Sequence, residues 1–453
     1  MTRGENGEPI QSTGTAFANI GVIVIDDATK KIESNSLFEI KEDTAKDATV
    51  AAAAQKIIDR IDKEYGAVFA KSEVVLNGAK APNGNRDSET NNGDLITDAM
   101  VWKILQDKES LTVDADHVVA VTNGGGIRKA INPGDVTKKN INEVLPFGNT
   151  VVTIYITGAE LLEALEASTY CTPDAIGGFP QVSGINYTIS TAVAYDANAE
   201  TYPASTYYGP KSINRVTINS INGKEFKADD TYAVITNDFC GGGGDTYYAF
   251  AAATAKFDTG IPLDEVVMEY ITAELKGVIG KQYAAPQGRI LMNPFKDVKT
   301  SAWYGSYVID LYNDGIINGT SATTYAPNDT LTWAAALKLL LVSHGDLKAA
   351  DATGADWSKN TIAKAAELGL VAADLDGAKA ISRLEFCQVA AKLNKLAESK
   401  TESKFTDCTD GYVMALVDAK VISGMTETTF EPAASLTRAQ IAKILYQLTL
   451  IEK

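Results

Sequence analysis

Two glycine-rich segments carry the residues best suited to hold an anion or a sugar. In the first, Gly124–Gly126 precede Arg128, and in the second, glycines 241–244 precede Asp245. Glycine permits positive φ and lets backbone N–H groups approach an anion closely, while arginine offers a planar pair of donors to phosphate oxygens. The carboxylate of Asp245 is an acceptor for sugar hydroxyl groups. For either segment alone, a tight turn with a solvated side chain is the simpler interpretation.

Two phenylalanines lie in loop settings beside polar residues. Phe147 belongs to a Pro-Phe-Gly tripeptide followed by Asn149, and Phe239 lies just before the second glycine segment and Asp245. Two rings on loops can stack on a base, each contributing about 1–3 kcal/mol in nucleic-acid sites. An isolated phenylalanine is more often a core residue under its loop. The coincidence with flexible glycines and polar groups favours a ligand.

Metal-dependent hydrolysis has little support in this sequence. A two-metal hydrolytic site needs several imidazole and carboxylate ligands around ions about 3.5–4 Å apart. The chain has two histidines, His117 and His344, and neither lies in an H-x-H, D-x-H or N-H-[DE] setting. We therefore predict no catalytic residue and no metal site on this chain, and expect His344 to lie on the surface at a helix end.

The bulk composition limits the partners. A chain of 453 residues is expected to form two to four domains. Its net charge of −17 disfavours nucleic-acid polymers and anionic membranes, although a few arginines can dominate one pocket for a small nucleotide. No apolar run approaches the roughly 20 residues of a membrane span, and the polar N-terminus predicts no secretory signal.

The four cysteines are scattered and form no C-x-x-C motif. A disulfide scaffold and a zinc site are therefore both poor interpretations. Buried apolar thiols are expected, although pairing of Cys387 with Cys408 stays open.

The elements that must position these residues follow from hydrophobic periodicity. Residues 17–25 predict a strand with no partner strand of its own, and residues 43–65 predict a helix. From 67 to 292, helical faces alternate with buried-strand patterns, which predicts an α+β domain with a mixed sheet. The predicted helices lie at 95–104 and around Leu161, and the predicted strands at 118–122, 151–156 and 233–236. A polar stretch at 196–210 predicts an exposed excursion.

After Pro294 the sequence becomes repetitive. An offset of 105 residues matches Tyr307 with Tyr412 and Gly319 with Gly424. A middle copy lies between them, in which Trp357 and Gly369 are 12 residues apart, as Trp303 and Gly315 are. We predict three all-α repeats at 293–345, 346–400 and 401–453, each a helix, a glycine-containing turn and a second helix, in a small helical array.

Taken together, the segments in 67–292 resemble the C-terminal, nucleotide-binding domain of the 5'-nucleotidase family, which also includes 2',3'-cyclic-nucleotide phosphodiesterases. The resemblance rests on Arg86 and on the motifs NNGDLITDAM (91–100), NGGGIR (123–128), INPGDV (131–136), LPFGN (145–149), TGAEL (157–161), QVSG (181–184) and NDFCGGGGD (237–245). It implies roles in stacking on the base (Phe147, Phe239), shaping the nucleoside pocket (Asn123, Asn149, Gly184), binding ribose hydroxyls (Asp245) and holding phosphate (Arg86, Arg128). Some family members carry a further arginine where this chain has Pro82.

The same resemblance implies that the N-terminal metallophosphoesterase domain of the family is almost entirely missing. Residues 1–42 resemble the end of that domain, and residues 43–66 resemble its linker helix. The divalent metal pair of the family would belong to the missing domain, so no cofactor is expected on this chain. His117 matches a strand of the family and is expected to be structural.

The repeats resemble S-layer homology modules, on the evidence of the segments FKDV (295–298), GIING (315–319) and FTD (405–407). Such modules come in threes and bind anionic secondary cell-wall polymers. The resemblance places Arg383 and Arg438 where they could pair with acidic sugar groups. The first copy has Thr332-Trp333 instead, and a purely structural helical bundle remains the alternative.

These observations predict a protein of the cell surface or cell wall that binds a nucleotide or nucleoside and is inactive as a phosphohydrolase by itself. Two alternatives stay open. The chain could be one half of a split nucleotidase whose metallophosphoesterase half is another polypeptide, or a non-catalytic surface scaffold held by the repeats.

Overall fold

The computed structural model describes residues 2–3, 9–10, 12–14, 17–194, 210–253, 255–350 and 353–451. The expected excursion at 196–210 therefore lies, except for Pro210, outside the described residues. Contacts divide the chain into an N-terminal unit, residues 1–67, and a C-terminal unit, residues 68–453.

In its described residues, the N-terminal unit contains four strands and one helix: β1 (Thr2–Arg3), β2 (Pro9–Ile10), β3 (Asn19–Ile25), β4 (Ile32–Glu39) and α1 (Ala48–Tyr65). The predicted strand is confirmed as β3, but the expectation that it has no partner is wrong, because β3 pairs with β4 in an antiparallel hairpin. The turn between them is closed by Thr29 Oγ1, which donates to Asp26 Oδ1 at 2.6 Å. The predicted helix is confirmed as α1, whose first turn is capped by the Asp47 carboxylate.

The C-terminal unit begins with the α+β domain. Its strands are β5 (Val68–Ser72), β6 (Val118–Asn123), β7 (Gly134–Thr137), β8 (Thr150–Thr157), β9 (Pro180–Ser183), β10 (Ile185–Ile189), β11 (Val216–Ile221), β12 (Thr231–Asn237), β13 (Ala255–Pro262), β14 (Val278–Ile279) and β15 (Ile290–Met292). Its helices are α2 (Asn91–Leu105), α3 (Lys138–Val144), α4 (Gly158–Ser168), α5 (Asp238–Gly241), α6 (Tyr248–Ala251) and α7 (Leu263–Ala273). The strands and helices predicted in this region are confirmed.

A five-stranded mixed sheet with the order β13-β8-β12-β6-β9 organises the domain. β6 and β12 are parallel, whereas β8 and β9 run antiparallel to their neighbours in the sheet. Every residue of β6 is buried, and its side chains alternate between two cores. Val118 and Ala120 pack with α2 and α7, and Val119 and Val121 pack with α4, because successive side chains of a strand point to opposite faces. Three-stranded sheets β11-β10-β15 and β14-β5-β7 complete the domain.

Within the described residues, six helices follow as three sequential pairs: α8 (Gly305–Asn313) and α9 (Trp333–His344), α10 (Trp357–Glu367) and α11 (Arg383–Leu393), and α12 (Gly411–Asp418) and α13 (Arg438–Thr449). The closest helix packing joins different pairs: α9 packs against α10, α11 against α12, and α13 against α8. The second helix of each pair begins at a hydroxyl cap, namely Thr332, Ser382 or Thr437. One hydrophobic core runs through all three pairs. The chain thus combines an α+β domain with an all-α repeat region.

The three pairs close into a ring instead of ending as an open array. Trp333 N donates to Lys379 O in the second pair at 2.9 Å, and Arg383 N donates to Ala434 O in the third at 2.8 Å. Arg438 N then donates back to Asp329 O in the first pair at 2.9 Å. Each second helix therefore begins on the turn of the next pair, and the third pair bonds to the first.

The cysteines are free thiols, as expected, and the alternative of a Cys387–Cys408 disulfide is not observed. Cys240, Cys387 and Cys408 are buried, and Cys171 is partly buried. Burial raises the pKa of Cys387 to about 12. Among the helices of the described ranges, none combines the length and the hydropathy that crossing a bilayer requires.

Candidate functional site

The polar residues of the candidate site lie where two parallel strands end. β6 ends at Asn123 and β12 ends at Asn237, and each strand is followed directly by a helical turn. Parallel neighbours end at the same edge of a sheet, which is where open α/β sheets commonly bind ligands. The glycine segments and the second aromatic ring follow these two strand ends.

A hydrogen-bonded chain of side chains joins the two strand ends. Asn237 Nδ2 donates to Asn123 Oδ1 at 3.1 Å and to Thr122 Oγ1 at 2.9 Å. Asn123 Nδ2 donates in turn to Asp245 Oδ2 at 2.7 Å. Asp245 is buried and has a φ of +51° in the left-handed region that non-glycine residues seldom adopt. The carboxylate is therefore held in place by the strand ends before any ligand arrives.

The first glycine segment is packed too tightly for a side chain. A Cβ on Gly124 would lie 1.6 Å from Asn85 O. Gly124 N donates to Phe179 O and Gly125 N donates to Gly177 O, both at 2.7 Å. The backbone of this segment is thus fixed against the loop before β9, and the requirement for glycine at 124 comes from close approach.

The two predicted rings are exposed and border one cavity of about 500 Å³. Phe147 is 60% exposed and Phe239 is 46% exposed. The Phe239 ring lies against Gly244, where a Cβ would come within 2.6 Å of the ring. A core function for these rings is excluded by their exposure, and their apolar surface is available for stacking.

Both predicted arginines line the same cavity. Arg128 Nη1 donates to Gly125 O at 3.2 Å, and its guanidinium lies 5.6 Å from the centre of the Phe147 ring. The Nε atom of Arg86 is buried and makes no hydrogen bond within the described part of the chain. The cavity therefore combines two aromatic rings, two guanidinium groups and one carboxylate.

The structure brings seven of the eight sequence-predicted residues to this cavity: Arg86, Asn123, Arg128, Phe147, Asn149, Phe239 and Asp245. Gly184 is the exception, and its assignment to the pocket needs correction. β9 runs antiparallel to β6, with Pro180 opposite Asn123 and Ser183 opposite Ala120, so the chain leaves the pocket as it approaches Gly184. Gly184 lies beside Val118 O at the other end of β6, where its φ of +77° explains the glycine.

Sequence reasoning missed three residues of the site. Gly177 lines the cavity, Asn237 joins the two strand ends, and Asp238 hydrogen-bonds to Asn149. Asn237 and Asp238 lay within a recognised motif and could have been selected as polar residues at a strand end. The Gly177-Gly178 dipeptide carried no comparable signal.

The histidines make no contact with the cavity in the described structure. His117 Nδ1 lies 2.7 Å from Asp116 Oδ1, and its ring stacks on Tyr232. His344 ends α9, as expected, and its Nδ1 lies 2.6 Å from Asp346 Oδ2. Within the described ranges, no group of three or more His, Cys, Asp or Glu side chains is arranged to hold a metal ion.

The two arginines of the repeats lie between repeats. Arg383 is only 7% exposed, its Nη2 donates to Ser423 O at 3.0 Å, and its guanidinium stacks 4.8 Å from the Phe430 ring. It lines a cavity of about 150 Å³ together with the exposed Trp303 and with Lys443. Arg438 is not among the residues around that cavity. The predicted role of Arg383 and Arg438 is to bind acidic sugars. The structure adds a second role, which is to connect neighbouring repeats.

Comparison with known proteins gives two family matches. The family described as 5'-nucleotidase, C-terminal domain, matches residues 68–252, and the S-layer homology domain matches residues 294–336 and 407–442. The middle helix pair, α10 with α11, lies outside both S-layer matches but has the same arrangement as the other two.

Several individual proteins are similar to part of this chain. The trifunctional nucleotide phosphoesterase protein YfkN of Bacillus subtilis is 32% identical over 289 residues, covering 63% of this chain and 18% of the relative. The 5'-nucleotidase of Mus musculus is 30% identical over 249 residues, covering 54% of this chain and 40% of the relative. A solved 5'-nucleotidase precursor from Thermus thermophilus is 29% identical, with a TM-score of 0.44, covering 61% of this chain and 50% of that one.

The chain therefore carries a 5'-nucleotidase C-terminal domain followed by S-layer homology domains. It spans less than half the length of the Bacillus and mouse relatives. S-layer homology domains imply attachment to the cell surface or cell wall.

Proposed function

We propose that the α+β domain binds a nucleoside or nucleotide in the cavity between Phe147 and Phe239, while the repeats hold the protein to an anionic polymer of the cell wall. The observation that carries this proposal is the convergence of two exposed rings, two arginines and Asp245 on one cavity of about 500 Å³. Cavities of this size suit a ligand of a few hundred daltons.

Each group in the cavity suits one part of a nucleotide. The rings offer faces for the base, because stacking removes apolar surface from water on both sides of a planar ligand. Asp245 offers carboxylate oxygens to the ribose hydroxyls, and Arg86 and Arg128 offer N–H groups to phosphate. The protein is strongly acidic as a whole, so these two guanidinium groups provide the local positive charge that an anionic ligand needs.

Calorimetric titration of the purified chain with adenosine and AMP tests the nucleotide proposal. Phe147→Ala and Phe239→Ala should each weaken binding by about 1–3 kcal/mol, the value of one stacked base. Phe257→Ala is the matched control, because Phe257 is 63% exposed on β13 and does not line the cavity. An absence of binding in folded wild-type protein, or equal losses in all three variants, would refute the proposal.

We further propose that this chain alone does not hydrolyse nucleotides. Both histidines are engaged by aspartates away from the cavity, so neither supplies an imidazole for a catalytic metal pair there. Incubation with AMP and Mn²⁺, Zn²⁺ or Co²⁺ should release no phosphate above the buffer rate. Release at enzyme-like rates that Phe147→Ala abolishes would overturn this part of the proposal.

A split nucleotidase is a second candidate, favoured by the apolar surface of the N-terminal unit. Val22, Ile23, Val24 and Ile25 of β3 are all 42–56% exposed, although they point alternately to the two faces of the hairpin. Strands with apolar residues on both faces are typical of sheets that are covered on both sides. Recovery of AMP hydrolysis on mixing with a separate metallophosphoesterase polypeptide would support this candidate. An absence of recovery would favour the first proposal, in which the chain binds nucleotides without hydrolysing them.

Wall attachment is tested by sedimentation with purified cell walls. We propose that the cavity around Trp303 contributes to polymer binding, because it offers an exposed ring and the half-buried Lys443 beside it. Trp303→Ala and Lys443→Ala should reduce the sedimented fraction, whereas Phe257→Ala should not. Unchanged sedimentation of both repeat variants would favour a purely structural helical bundle.

A further inference from the structure

A buried arginine holds one end of the segment that forms a wall of the cavity. We call residues 170–179 the wall segment, because Gly177 within it lines the cavity. Arg215 directly precedes β11 and is 5% exposed. Its Nη1 donates to Tyr170 O at 2.7 Å, and its Nη2 donates to Thr172 O at 2.8 Å. Two hydrogen bonds from one side chain therefore fix the start of the wall segment.

All three guanidinium nitrogens of Arg215 are engaged. Nε donates to Ser190 O at 3.2 Å, and Nη2 also donates to Thr191 O at 3.0 Å, just after β10. The main-chain N–H of Arg215 donates to the buried Glu166 carboxylate at 3.0 Å. A buried charge is costly unless hydrogen bonds satisfy it, and a planar guanidinium can serve several fixed acceptors at once. Arg215 therefore fixes the wall segment relative to strands β10 and β11.

The other end of the wall segment contacts the polar groups of the cavity. Ile176 N donates to Arg86 O at 2.9 Å. A Cβ on Gly177 would lie 3.7 Å from Asp245 Oδ2, so the main chain passes beside that carboxylate. The wall segment thus lies against the two residues that we propose for binding phosphate and ribose.

We propose that Arg215 is a positioning residue for the sugar–phosphate end of the cavity and that it acts through the wall segment. This inference rests on the proposed nucleotide binding and adds a residue that is not among the described residues lining the cavity. Without the guanidinium, Tyr170 O and Thr172 O lose their fixed partners, and the wall segment can shift relative to Arg86 and Asp245.

A shift of the wall segment should affect the two ends of a nucleotide unequally. Hydrogen bonds to phosphate and to ribose hydroxyls weaken steeply as their distances and angles depart from the optimum. Stacked rings tolerate centroid separations of about 4.5–7 Å, and Phe147 and Phe239 belong to segments other than the wall. Loss of the Arg215 side chain should therefore weaken the recognition of ribose and phosphate more than stacking on the base.

The experiment compares AMP with adenine, which keeps the base but lacks ribose and phosphate. Calorimetry measures AMP directly and adenine by displacement of AMP. Arg215→Met should lower the ratio of the adenine dissociation constant to the AMP dissociation constant by about tenfold, the value of one hydrogen bond with a charged partner. Arg215→Lys should restore part of this ratio, because an ammonium group retains the charge but not the planar fork. Partial unfolding would instead lower the number of binding sites per chain and leave the ratio unchanged.

Tyr247→Phe perturbs the same wall more mildly. Tyr247 Oη donates to Gly178 O at 2.8 Å, so the variant removes one hydrogen bond from the cavity end of the wall segment. The ratio should fall by a smaller factor than in Arg215→Met. Tyr232→Phe is the matched control, because Tyr232 is equally buried but its hydroxyl donates to Lys227 O at 3.3 Å, outside the wall segment. This control should keep the wild-type ratio.

A wild-type ratio in folded Arg215→Met would overturn the inference while leaving the proposed function intact. If Arg215→Met does not fold, a wild-type ratio in both Arg215→Lys and Tyr247→Phe would overturn it equally. Failure of the folded wild-type protein to bind AMP, or of adenine to displace AMP, would instead refute the proposed function.

Discussion

Removal of the Arg438 side chain should open the ring of repeats. Arg438 Nε donates to Tyr325 O at 2.6 Å, and Nη2 donates to Asn318 O at 2.8 Å. The guanidinium also lies 4.4 Å from the centre of the Tyr325 ring. Arg438 thus connects the third repeat with the first through three contacts of one side chain, and Arg438→Ala deletes all three.

The expected loss follows from the contacts. A hydrogen bond from a charged donor contributes about 1.5–3 kcal/mol, and a partly exposed cation–π contact contributes about 0.5–1 kcal/mol. Arg438 is half-buried, so water replaces part of what is lost. We therefore expect a net loss of about 2–4 kcal/mol. For a folded region of the size of the repeats, residues 293–453, such a loss lowers the Tm by about 5–12 °C.

Thermal unfolding of the full chain, followed by tryptophan fluorescence, measures this loss. Trp303, Trp333 and Trp357 all lie in the repeats, so three of the four tryptophans of the chain report on that region. Lys364→Ala is the control, because it removes only the ion pair between Lys364 and the exposed Glu367. A surface ion pair of this kind is worth about 0–1 kcal/mol.

Arg438→Lys should recover only part of the stability, since an ammonium group cannot reproduce two donors in a planar fork. A Tm for Arg438→Ala within the range of the Lys364→Ala control would show that this side chain does not hold the ring closed. A full recovery with lysine would show that charge alone is responsible, contrary to the geometry described here.

Three further predictions concern the α+β domain. The Asp116 carboxylate raises the pKa of His117. The stability that this ion pair contributes is therefore complete below the ordinary histidine pKa and is lost as the pH rises through the raised pKa. The variant His117→Gln should lack this pH dependence of the Tm. Burial, reinforced by Glu89, raises the pKa of Asp94 to about 8. Between about pH 4 and pH 8 the folded state therefore holds a proton that the unfolded state has released, so the stability of the protein should fall as the pH rises through this range. The Tm of Asp94→Asn should depend less on pH across the same range. The buried Glu166 carboxylate accepts three backbone N–H groups at 2.8–3.0 Å, so Glu166→Gln, whose NH₂ group would face a donor, should lose about 2–3 kcal/mol in denaturant unfolding.

Local periodicity was sufficient to predict three strands and two helices of the α+β domain but not the second strand of the N-terminal hairpin. β4 reads Ile-Glu-Ser-Asn-Ser-Leu-Phe-Glu, in which polar and apolar residues do not alternate. Its assignment depends on pairing with β3, a tertiary contact that period-two patterning does not encode. The strands of the central sheet were easier to predict, because β6 is buried on both faces and its sequence is continuously apolar up to Thr122.

The part of the candidate site that could be predicted consists of residues whose sequence motifs lie at the ends of strands. Asn123 is the last residue of the buried strand β6 and Phe239 follows the buried strand β12, and their convergence results from the parallel pairing of these strands. Gly184 belongs to an equally recognisable motif, but the direction of β9 takes it away from the cavity. Ring closure was not predictable, since the bond from Arg438 to Asn318 joins residues 120 positions apart without a local signal.

The hydrogen bonds and the exposure of the cavity residues determine how binding energy should divide among them. Asn123, Asn149 and Asp245 are already hydrogen-bonded to protein partners, so little side-chain entropy remains to be lost when a ligand binds. Phe147 and Phe239 remain exposed, and their apolar surface leaves water only when a planar group enters between them. Affinity should therefore depend mainly on the rings. Substitution of either ring should weaken the binding of all nucleosides by similar factors. A change in the order of nucleoside affinities in Phe147→Ala would contradict this conclusion.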